Sequence, residues 1–418
     1  MNKAVKILRV FEHTKVKYDD NGDFKKSHFD NLVLFNEQHK NKYFTIIHKG
    51  ILFNSYVGVI QSGNLILEIL PKVDNQPETD NTKLLWQDIL IRMLKVCNYL
   101  KVDNVSEASL KKRYNSLMDI YFEMFISEVE NLVRSGLIKK YQKNQNNSTA
   151  LKGKLLFSKN IQKNLTHKER FFCEFQEYNK DHLIHQILLR ALSILDTFPH
   201  IGFQDRINRL LLVFSDYKQV NIASSHFESI VYNRKNKVYS KAIEIAKMII
   251  LNYSSNLNGG KTLMLTLLFD MNNLWEEFIH KILHKHNFQS LLINAQSSKT
   301  FWANKTIRPD IVIEKESKTI VVDTKWKVIQ NNNPSDDDVK QMFAYNLVFK
   351  AERSYLLYPR VNQMDSDYGE YTYIHKDLGG NWCKTIFVDV VHNNEMISSE
   401  EIAKSIWRKV GMENYKLG

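Results

Sequence analysis

Several features that would place a protein in a familiar class are scarce or missing in this 418-residue sequence. Cysteine occurs only three times, at widely separated positions (Cys97, Cys173 and Cys383), and no CxxC pair or Cys/His cluster is present. This argues against a disulfide framework or a structural zinc site. No apolar run reaches the roughly 18 residues of a membrane span, and the first residues have too short an apolar run for a signal peptide. We therefore expect a cytoplasmic protein without a membrane segment.

A complete phosphate-binding loop is also missing. Residues 260–262 (Gly-Lys-Thr) imitate the end of such a loop, and residues 248–251 would be its strand. The motif requires a glycine five residues before Gly260, where Ser255 stands instead. Without that glycine the backbone N–H groups cannot surround a phosphate in the usual way. We expect a linker loop at residues 254–262 and no nucleotide site.

The composition is that of a chain with real hydrophobic cores and a basic surface. Hydrophobic residues make up 43% of the sequence, the formal net charge is +12, and the pI is about 9.2. A chain of this length predicts two or three domains. A basic balance in a protein of this size is compatible with nucleic-acid binding, although charge alone is weak evidence.

The most informative stretch is RPDIVIEKESKTIVVDTKWK, residues 308–327. It predicts two buried strands joined by a polar turn, with Asp310 opening the first strand and Asp323 ending the second. Alternation places Asp323 and Lys325 on one side, with Thr324 pointing away. An antiparallel partner can bring Asp310 beside Asp323, and two close carboxylates repel each other unless a cation lies between them. This is the PD…(D/E)xK arrangement of metal-dependent nucleases, and its hard oxygen ligands favour Mg²⁺.

The competing interpretation of this stretch is an exposed hairpin with a salt bridge between Asp323 and Lys325. Two flanking helices favour the site. The pattern around residues 271–283 (MNNLWEEFIHKIL) buries Leu274, Phe278 and Ile282, so one of the adjacent glutamates Glu276 and Glu277 can face the sheet. Nucleases of this kind often place a helical glutamate beside the metal, which makes Glu276 a candidate. Two surface charges are the alternative.

A second helix is predicted after the hairpin, starting at Ser335 or Asp336 as N-cap. Gln341 and Tyr345 lie four residues apart on one face of it, the position at which related nucleases support substrate or metal-bound water. The three aspartates at 336–338 resemble metal ligands, but helix capping explains them more simply.

The remaining pattern predicts a mixed α/β chain of several α+β domains. We expect a β-rich N-terminal domain (1–80), a mainly helical middle region (81–255) and a C-terminal PD-(D/E)xK restriction-endonuclease-like domain (256–418). Strands are expected near residues 6–11, 43–47, 51–60, 65–70, 171–175, 354–358 and 385–391. Residues 83–145 are helical by pattern, with a second amphipathic stretch at about 106–135, and further helices are expected near residues 28–38, 179–195, 205–214, 239–252, 263–284 and 399–410.

The middle region contains two further candidates. The basic stretch after Gly136 includes an Asn/Gln-rich loop, and its lysines either follow phosphates or form a solvated face. His182 and His185 are three residues apart on a predicted helix, a spacing that suits a metal. No third ligand is evident, so structural roles are the preferred interpretation.

In these motifs and their order the chain resembles the McrC-type subunit of the 5-methylcytosine-specific, McrBC-like restriction system. The resemblance rests on MNNLWEEFI, RPDIVI, VVDTKWK, DDDVKQMFAYN and YLLYP in the C-terminal part, on GLIKKY, LKGKL and RFFCEFQEYNKDHLIHQILLRAL in the middle, and on YVGVI and LEILPKV near the N-terminus. It covers most of the chain and is weakest over residues 1–80.

The resemblance implies a Mg²⁺-dependent endonuclease of double-stranded DNA, with Mn²⁺ as a possible substitute ion. It implies a triad of Asp310, Asp323 and Lys325, with the Thr324 backbone carbonyl as a further metal ligand. Glu276 matches the helical acid, although the family usually has Phe-Glu where this chain has Trp275-Glu276. It also implies supporting roles for Gln341 and Tyr345.

The resemblance also implies a partner, a ring-forming, McrB-like AAA+ GTPase that translocates DNA in an antiviral restriction system. It implies that this subunit docks on the ring through its N-terminal region and stimulates the GTPase. Two alternatives remain open at this point. One is a non-catalytic DNA-binding regulator of an AAA+ NTPase, and the other is a stand-alone structure-specific nuclease.

Overall fold

The computed structural model describes residues 5–19, 22–73, 77–100, 116–198, 202–257, 262–287, 291–315, 318–329, 333–351, 353–360, 365, 369–371 and 382–412. By compactness the chain divides into two units. Unit 1 comprises residues 1–6, 61–66 and 105–267, and unit 2 comprises residues 7–60, 67–104 and 268–418. The predicted bounds of the three sequence domains stay a prediction.

Several helices begin where a polar side chain can accept a hydrogen bond from a free backbone N–H, as at Thr79, Ser116, Asp270, Ser335 and Ser398. The helices are α1 (Lys26–Gln38), α2 (Asp80–Val96), α3 (Leu117–Ser135), α4 (Phe157–Asn164), α5 (Leu183–Asp196), α6 (Gln204–Val213), α7 (Ser224–Glu228), α8 (Ser240–Leu251), α9 (Met271–Lys285), α10 (Asp336–Phe349) and α11 (Ser399–Lys409). Among the described residues, none of these helices is long and apolar enough to cross a bilayer.

The strands form several separate sheets, as expected for a mixed α/β chain. They are β1 (Lys6–Phe11), β2 (Lys15–Lys17), β3 (Phe44–Ile47), β4 (Gly50–Phe53), β5 (Tyr56–Ser62), β6 (Leu65–Leu70), β7 (Lys140–Ser148), β8 (Lys154–Leu155), β9 (Phe171–Asn179), β10 (Tyr253–Leu257), β11 (Thr262–Asp270), β12 (Leu292–Ala295), β13 (Lys299–Trp302), β14 (Lys305–Ile307), β15 (Ile311–Lys315), β16 (Lys318–Thr324), β17 (Arg353–Pro359), β18 (Gly369–Glu370), β19 (Trp382–Val388), β20 (Val391–His392) and β21 (Glu395–Met396).

The N-terminal strands and helix are confirmed, with one correction. The run predicted as a single strand at residues 51–60 is two strands, β4 and β5, because the chain turns at Asn54 and Ser55. Asn54 holds this turn by donating from its side-chain amide to the carbonyl of Lys42 and from its backbone N–H to Tyr43.

The middle region departs further from the prediction. The Asn/Gln-rich stretch expected as a loop is strand β7, which pairs antiparallel with β9 along its whole length. Helix α3 ends at Gly136 as predicted, where a φ of +90° disfavours any residue with a Cβ. Helix α5 begins at Leu183, with His182 as its N-cap and Asp181 before it. The prediction that both residues lie inside the helix is therefore wrong.

Two predictions around residues 248–270 are wrong. Residues 248–251 belong to helix α8, in agreement with the helix predicted at 239–252. Strand β10 occupies the first part of the linker loop expected at 254–262, and the run from Leu263 to Asp270 is strand β11, so the helix expected from residue 263 begins only at Met271. A continuous apolar run fits a buried strand as well as a buried helix, and here pairing with β10 decides for the strand. Residues 258–261 lie outside the described part of the chain.

The core of unit 2 is a six-stranded sheet in the order β12-β15-β16-β17-β19-β18. Strand β15 pairs antiparallel with both β12 and β16. Strand β17 pairs parallel with both β16 and β19, and β18 pairs antiparallel with β19. Helix α10 connects β16 to β17 and packs on the sheet through Met342, Tyr345 and Phe349, which join a buried cluster with Val312, Val321, Leu356 and Phe387. Helices α9 and α11 also contact this sheet.

Candidate active site

The β15–β16 hairpin brings the two candidate aspartates together. Ile311 pairs with Val322 in antiparallel register. Asp310 directly precedes Ile311 and Asp323 directly follows Val322, so the two aspartates lie at the same end of the strand pair. Both strands are interior to the sheet, and Ile311, Val322 and Asp323 are buried. The alternative of an exposed hairpin with a surface salt bridge is therefore wrong.

Asp310 is fixed by the end of the neighbouring strand. Its Oδ2 accepts from the backbone N–H of Thr324 at 2.7 Å and from the Thr324 hydroxyl at 2.9 Å. The expectation that the Thr324 side chain points away from the acids is thus wrong for its hydroxyl. Burial raises the pKa of Asp310, and the hydrogen bonds from Thr324 oppose this.

Asp323 and Lys325 form the centre of the site. Lys325 Nζ lies 2.7 Å from Asp323 Oδ2, a buried oxygen that has no well-directed hydrogen bond beyond this ion pair. Burial and then the charge of Asp310 raise the pKa of Asp323 to about 7, against the opposing effect of Lys325. Burial lowers the pKa of Lys325, but the surrounding carboxylates outweigh it and the net direction is upward. Lys325 is therefore an ammonium group at neutral pH.

Helix α10 connects Lys325 to the chain before Asp310. Lys325 Nζ donates to Gln341 Oε1 at 3.2 Å, and Gln341 Nε2 donates to the hydroxyl of Tyr345 at 2.7 Å. That hydroxyl donates in turn to the carbonyl oxygen of Arg308 at 3.1 Å. Burial and the charge of Asp323 raise the pKa of Tyr345 to about 12, so this hydroxyl keeps its proton.

Helix α9 supplies Glu276 at the side of the site. Burial and then the charge of Asp310 raise its pKa, and Gln296 Nε2 donates to its Oε1 at 2.7 Å. The adjacent Glu277 has a different partner, Lys281, at 2.8 Å. The two glutamates therefore diverge as predicted, and Glu276 is the one whose charge interacts with Asp310.

Asp338 does more than the predicted helix capping. Its backbone N–H is capped by Ser335, but its Oδ2 also accepts from Lys327 Nζ at 2.6 Å and from the Tyr358 hydroxyl at 3.3 Å, and its Oδ1 lies 3.9 Å from Lys325 Nζ. Asp338 is thus part of the charge network of the site. The second lysine of the DTKWK motif, which binds Asp338, was the one indication of this role in the sequence. No sequence feature indicated that Gln296 would contact Glu276.

The donor set suits a hard divalent cation. Among the described residues, no three or more His, Cys, Asp or Glu side chains are arranged as a metal site. A cation beside Asp310 and Asp323 would therefore complete its shell with water and backbone oxygen such as that of Thr324, as Mg²⁺ commonly does. Burial and then the charge of Asp310 raise the pKa of Asp323, and a cation between the two carboxylates would offset both effects. The residues present thus fit Mg²⁺.

The two histidines of the middle region have structural contacts. Their rings stack with centroids 4.1 Å apart, His182 Nε2 contacts the carbonyl of Ile138 at 3.2 Å, and His185 Nε2 contacts the Tyr239 hydroxyl at 3.1 Å. Burial lowers the pKa of His185 to about 3, so the ring is neutral. These contacts agree with the preferred structural interpretation.

Comparisons with known proteins point in one direction. A family model described as McrBC 5-methylcytosine restriction system component matches residues 51–359. The chain is 22% identical over 232 residues to the type IV methyl-directed restriction enzyme EcoKMcrBC of Escherichia coli (strain K12), covering 51% of this chain and 65% of that relative. The chain thus spans less than two thirds of the length of this curated relative.

Two solved structures have a similar fold. One is a chain in the half-complex from a tetradecameric assembly of Thermococcus gammatolerans McrB AAA+ hexamers with bound McrC, with a TM-score of 0.72 at 20% identity, covering 97% of this chain and all of that one. The other is a chain of the T. gammatolerans McrBC complex, with a TM-score of 0.52 at 23% identity, covering 68% of this chain and 89% of that one. At these identities the similarity establishes the fold alone.

Proposed function

This chain belongs to the family of McrBC 5-methylcytosine restriction system components, and from that premise we propose that it is the subunit that cuts DNA, by Mg²⁺-dependent hydrolysis of a phosphodiester. One observation carries the proposal: Asp310 and Asp323 meet at the edge of a buried antiparallel pair with Lys325 Nζ 2.7 Å from Asp323. Two acids and an ammonium group in one site are what metal-assisted phosphodiester hydrolysis requires.

Asp310, Asp323 and the backbone carbonyl of Thr324 would hold the metal ion, with Glu276 at its side. When bound, Mg²⁺ lowers the pKa of a coordinated water and offsets charge on the phosphate oxygens. The hydrogen bonds from Thr324 orient the Asp310 carboxylate before the ion arrives. Because that carboxylate need not reorganise on binding, the cost of ordering it is met during folding.

Lys325 supplies positive charge that does not depend on the metal. Asp323 and Gln341 hold its Nζ from two sides, so the ammonium group has a defined position. From there it orients the attacking water or stabilises the negative charge that develops on the phosphate oxygens. Tyr345 extends this support by tying Gln341 to the Arg308 carbonyl, two residues before Asp310.

The partner that we propose is a ring-forming AAA+ GTPase like the McrB hexamers of the structural relatives. The sequence lacks a complete phosphate-binding loop, so this chain would not hydrolyse the nucleotide itself. In this proposal the partner translocates double-stranded DNA, and this chain stimulates its GTPase and supplies the cut. The proposed domain bounds 1–80, 81–255 and 256–418 assign the partner contact to the first domain.

The decisive experiment is Asp323→Ala in the complex of the full chain with its AAA+ partner. Cleavage of modified DNA should disappear, while stimulation of the partner's GTPase should persist because Asp323 is buried inside the sheet. Asp337→Ala is the matched control, since the side chain of Asp337 is 98% exposed, and it should cut like the wild type.

Three other outcomes would contradict the proposal. Continued cutting by Asp323→Ala would show that the site assignment is wrong. A wild-type chain that stimulates the GTPase but never cuts would be a non-catalytic regulator. Mg²⁺-dependent cutting by the chain without any NTPase would identify a stand-alone nuclease.

A further inference from the structure

A small hairpin stands directly before the candidate active site. Strands β13 and β14 pair antiparallel, with Thr300 opposite Thr306 and Trp302 opposite Lys305, across a turn at Ala303 and Asn304. We call residues 299–307 the aromatic hairpin. All four residues of β13 are exposed, and the exposed fraction is 53% for Phe301 and 66% for Trp302.

The exposure of two adjacent aromatic side chains is not explained by the fold. Phe and Trp bury the largest apolar areas of any residues, so leaving both of them in water forgoes a stabilising contribution. The turn that presents them is also strained, because Ala303 has a φ of +47° in the left-handed region that disfavours a residue with a Cβ. Strained backbone conformations cluster at functional sites, and exposed apolar patches mark interaction surfaces.

The residues that flank the aromatic hairpin are hydrogen-bonded to residues of the site. On the incoming side, Gln296 donates from its backbone N–H to the Asp310 carbonyl at 2.9 Å and from Nε2 to Glu276 at 2.7 Å. On the outgoing side, the Arg308 carbonyl accepts from the Tyr345 hydroxyl at 3.1 Å. The chain that enters and leaves the hairpin is therefore anchored beside Asp310.

The charge of this segment identifies the kind of ligand. No aspartate or glutamate occurs in the sequence between Glu277 and Asp310, while Lys299, Lys305 and Arg308 all do. Lys299 Nζ lies 4.5 Å from the centre of the Phe349 ring. This cation–π contact anchors the hairpin on helix α10. Lys305, opposite Trp302, is exposed. A cationic edge beside exposed aromatics is the combination with which proteins grip nucleic-acid backbones and bases.

We propose that the aromatic hairpin is a DNA-contacting element that holds the substrate beside the two aspartates. Trp302 and Phe301 pack against the bases or sugars, and Lys305 and Arg308 neutralise neighbouring phosphates. This inference rests on the proposed function, because the ligand is the nucleic acid that would be cut. The alternative ligand is a protein surface. Such a surface does not carry a regular array of negative charges, so it matches Lys305 and Arg308 less well than DNA does.

The first test uses the fluorescence of Trp302 in the full chain, with EDTA present so that cleavage does not interfere. Apart from Trp302, the most exposed tryptophan is Trp382 at 38%, and the other four are buried. Subtracting the emission of Trp302→Phe therefore isolates the signal of Trp302. A short DNA duplex should change that signal and protect it from acrylamide, and the Trp302→Phe variant should show no such component.

The second test measures duplex affinity by fluorescence anisotropy as a function of salt. Trp302→Ala should weaken duplex binding roughly 10-fold, the fold-change that corresponds to about 1.4 kcal/mol of lost apolar contact with sugars and groove edges. Lys305→Gln should weaken binding and lower the slope of log K against log salt by about one. Tyr232→Ala and Lys235→Gln are matched controls on exposed residues of unit 1, and both should bind like the wild type.

The results separate this inference from the proposed function. Unchanged duplex affinity in Trp302→Ala and Lys305→Gln, or a Trp302 signal that ignores the duplex, would overturn the hairpin's role. Loss of AAA+ partner binding with unchanged duplex affinity would assign the surface to a protein instead. Because the binding tests need neither metal nor cleavage, they stand even if Asp323→Ala still cuts DNA.

Discussion

Replacing Asp323 with asparagine should stabilise the metal-free protein at neutral and alkaline pH. Asp323 is 1% exposed, lies beside the carboxylate of Asp310, and has its pKa raised from 3.8 to about 7. The folded state therefore holds this proton far more tightly than the unfolded chain does. Asparagine has nearly the same shape and no charge to bury, so the unfavourable ionisation is removed.

The sign and size of the effect follow from the raised pKa. Where the folded state binds more protons than the unfolded state, the free energy of unfolding falls as pH rises. The loss begins near pH 4, where the unfolded carboxyl ionises, and is complete above pH 7. Since a tenfold change in the ionisation constant is worth about 1.4 kcal/mol, the full loss for Asp323 is on the order of 4 kcal/mol.

Urea unfolding in EDTA at pH 5 and pH 8 provides the measurement. Between these two pH values the wild type should lose about 2–3 kcal/mol more of its unfolding free energy than Asp323→Asn does. Added Mg²⁺ should reverse the order. At a concentration one hundred times its dissociation constant a ligand stabilises the wild type by about 2.7 kcal/mol, and the variant should gain much less.

Parallel pH profiles for wild type and Asp323→Asn would refute this reasoning, because they would mean that Asp323 ionises in the folded protein as easily as in water. Equal stabilisation of both proteins by Mg²⁺ would show that the ion binds elsewhere. The control is Asp337→Asn, whose fully exposed side chain should leave both the pH profile and the Mg²⁺ effect unchanged.

Two further predictions concern the side chains that support the site. Glu12→Ala should cost about 1–3 kcal/mol in urea unfolding, because it removes the acceptor of the buried Trp326 indole N–H at 2.7 Å; Glu12→Gln, which keeps an acceptor, should cost less, and equal costs would contradict this account. Tyr345→Phe should slow DNA cleavage while costing only about 1 kcal/mol of stability, because it breaks the connection between Gln341 and the Arg308 carbonyl. An unchanged cleavage rate would mean that this connection does not position Lys325.

The hairpin at the centre of the site was predictable because its information is local. Alternation along β16 and the polar sequence of residues 314–318 predict which residues of the two strands lie opposite each other, and the observed register brings Asp310 to Asp323. Helix α10 was predictable for the same reason. Ser335 and the three aspartates after it mark the helix start. The four-residue spacing places Gln341 and Tyr345 on the same face, one turn apart.

Strand β7 was not predicted because it lacks the alternation of apolar and polar residues that usually identifies a strand. Its sequence KYQKNQNNS has no alternating apolar residues, so by itself it reads as a loop. In the fold it pairs with the whole of β9, and Gln145 Nε2 donates across the pair to Glu174 at 2.8 Å. Cross-strand hydrogen bonds between side chains thus take the place of a hydrophobic face, and such pairs cannot be identified without knowing the register.

Gln296 and the aromatic hairpin were missed for a different reason. Their importance lies in contacts with residues distant in sequence, such as Glu276 and Tyr345. Strand β13 is exposed throughout, so it lacks the alternation that identifies a half-buried strand. Its aromatic residues and lysines become informative only once the chain has placed them next to Asp310.

The position of Lys325 depends on residues far outside the C-terminal part of the chain. The next residue, Trp326, is buried with its ring 5.1 Å from that of Trp275 and 6.4 Å from that of Trp86, and its N–H is bound by Glu12. These contacts come from Glu12, which directly follows β1, and from α2 and α9, and all three side chains belong to unit 2. Removing the N-terminal strands would therefore expose one side of Trp326 and free the backbone that carries Lys325. The candidate site is then a property of unit 2 as a whole, because the stretch that positions its ammonium group is held by the N-terminal part of the chain.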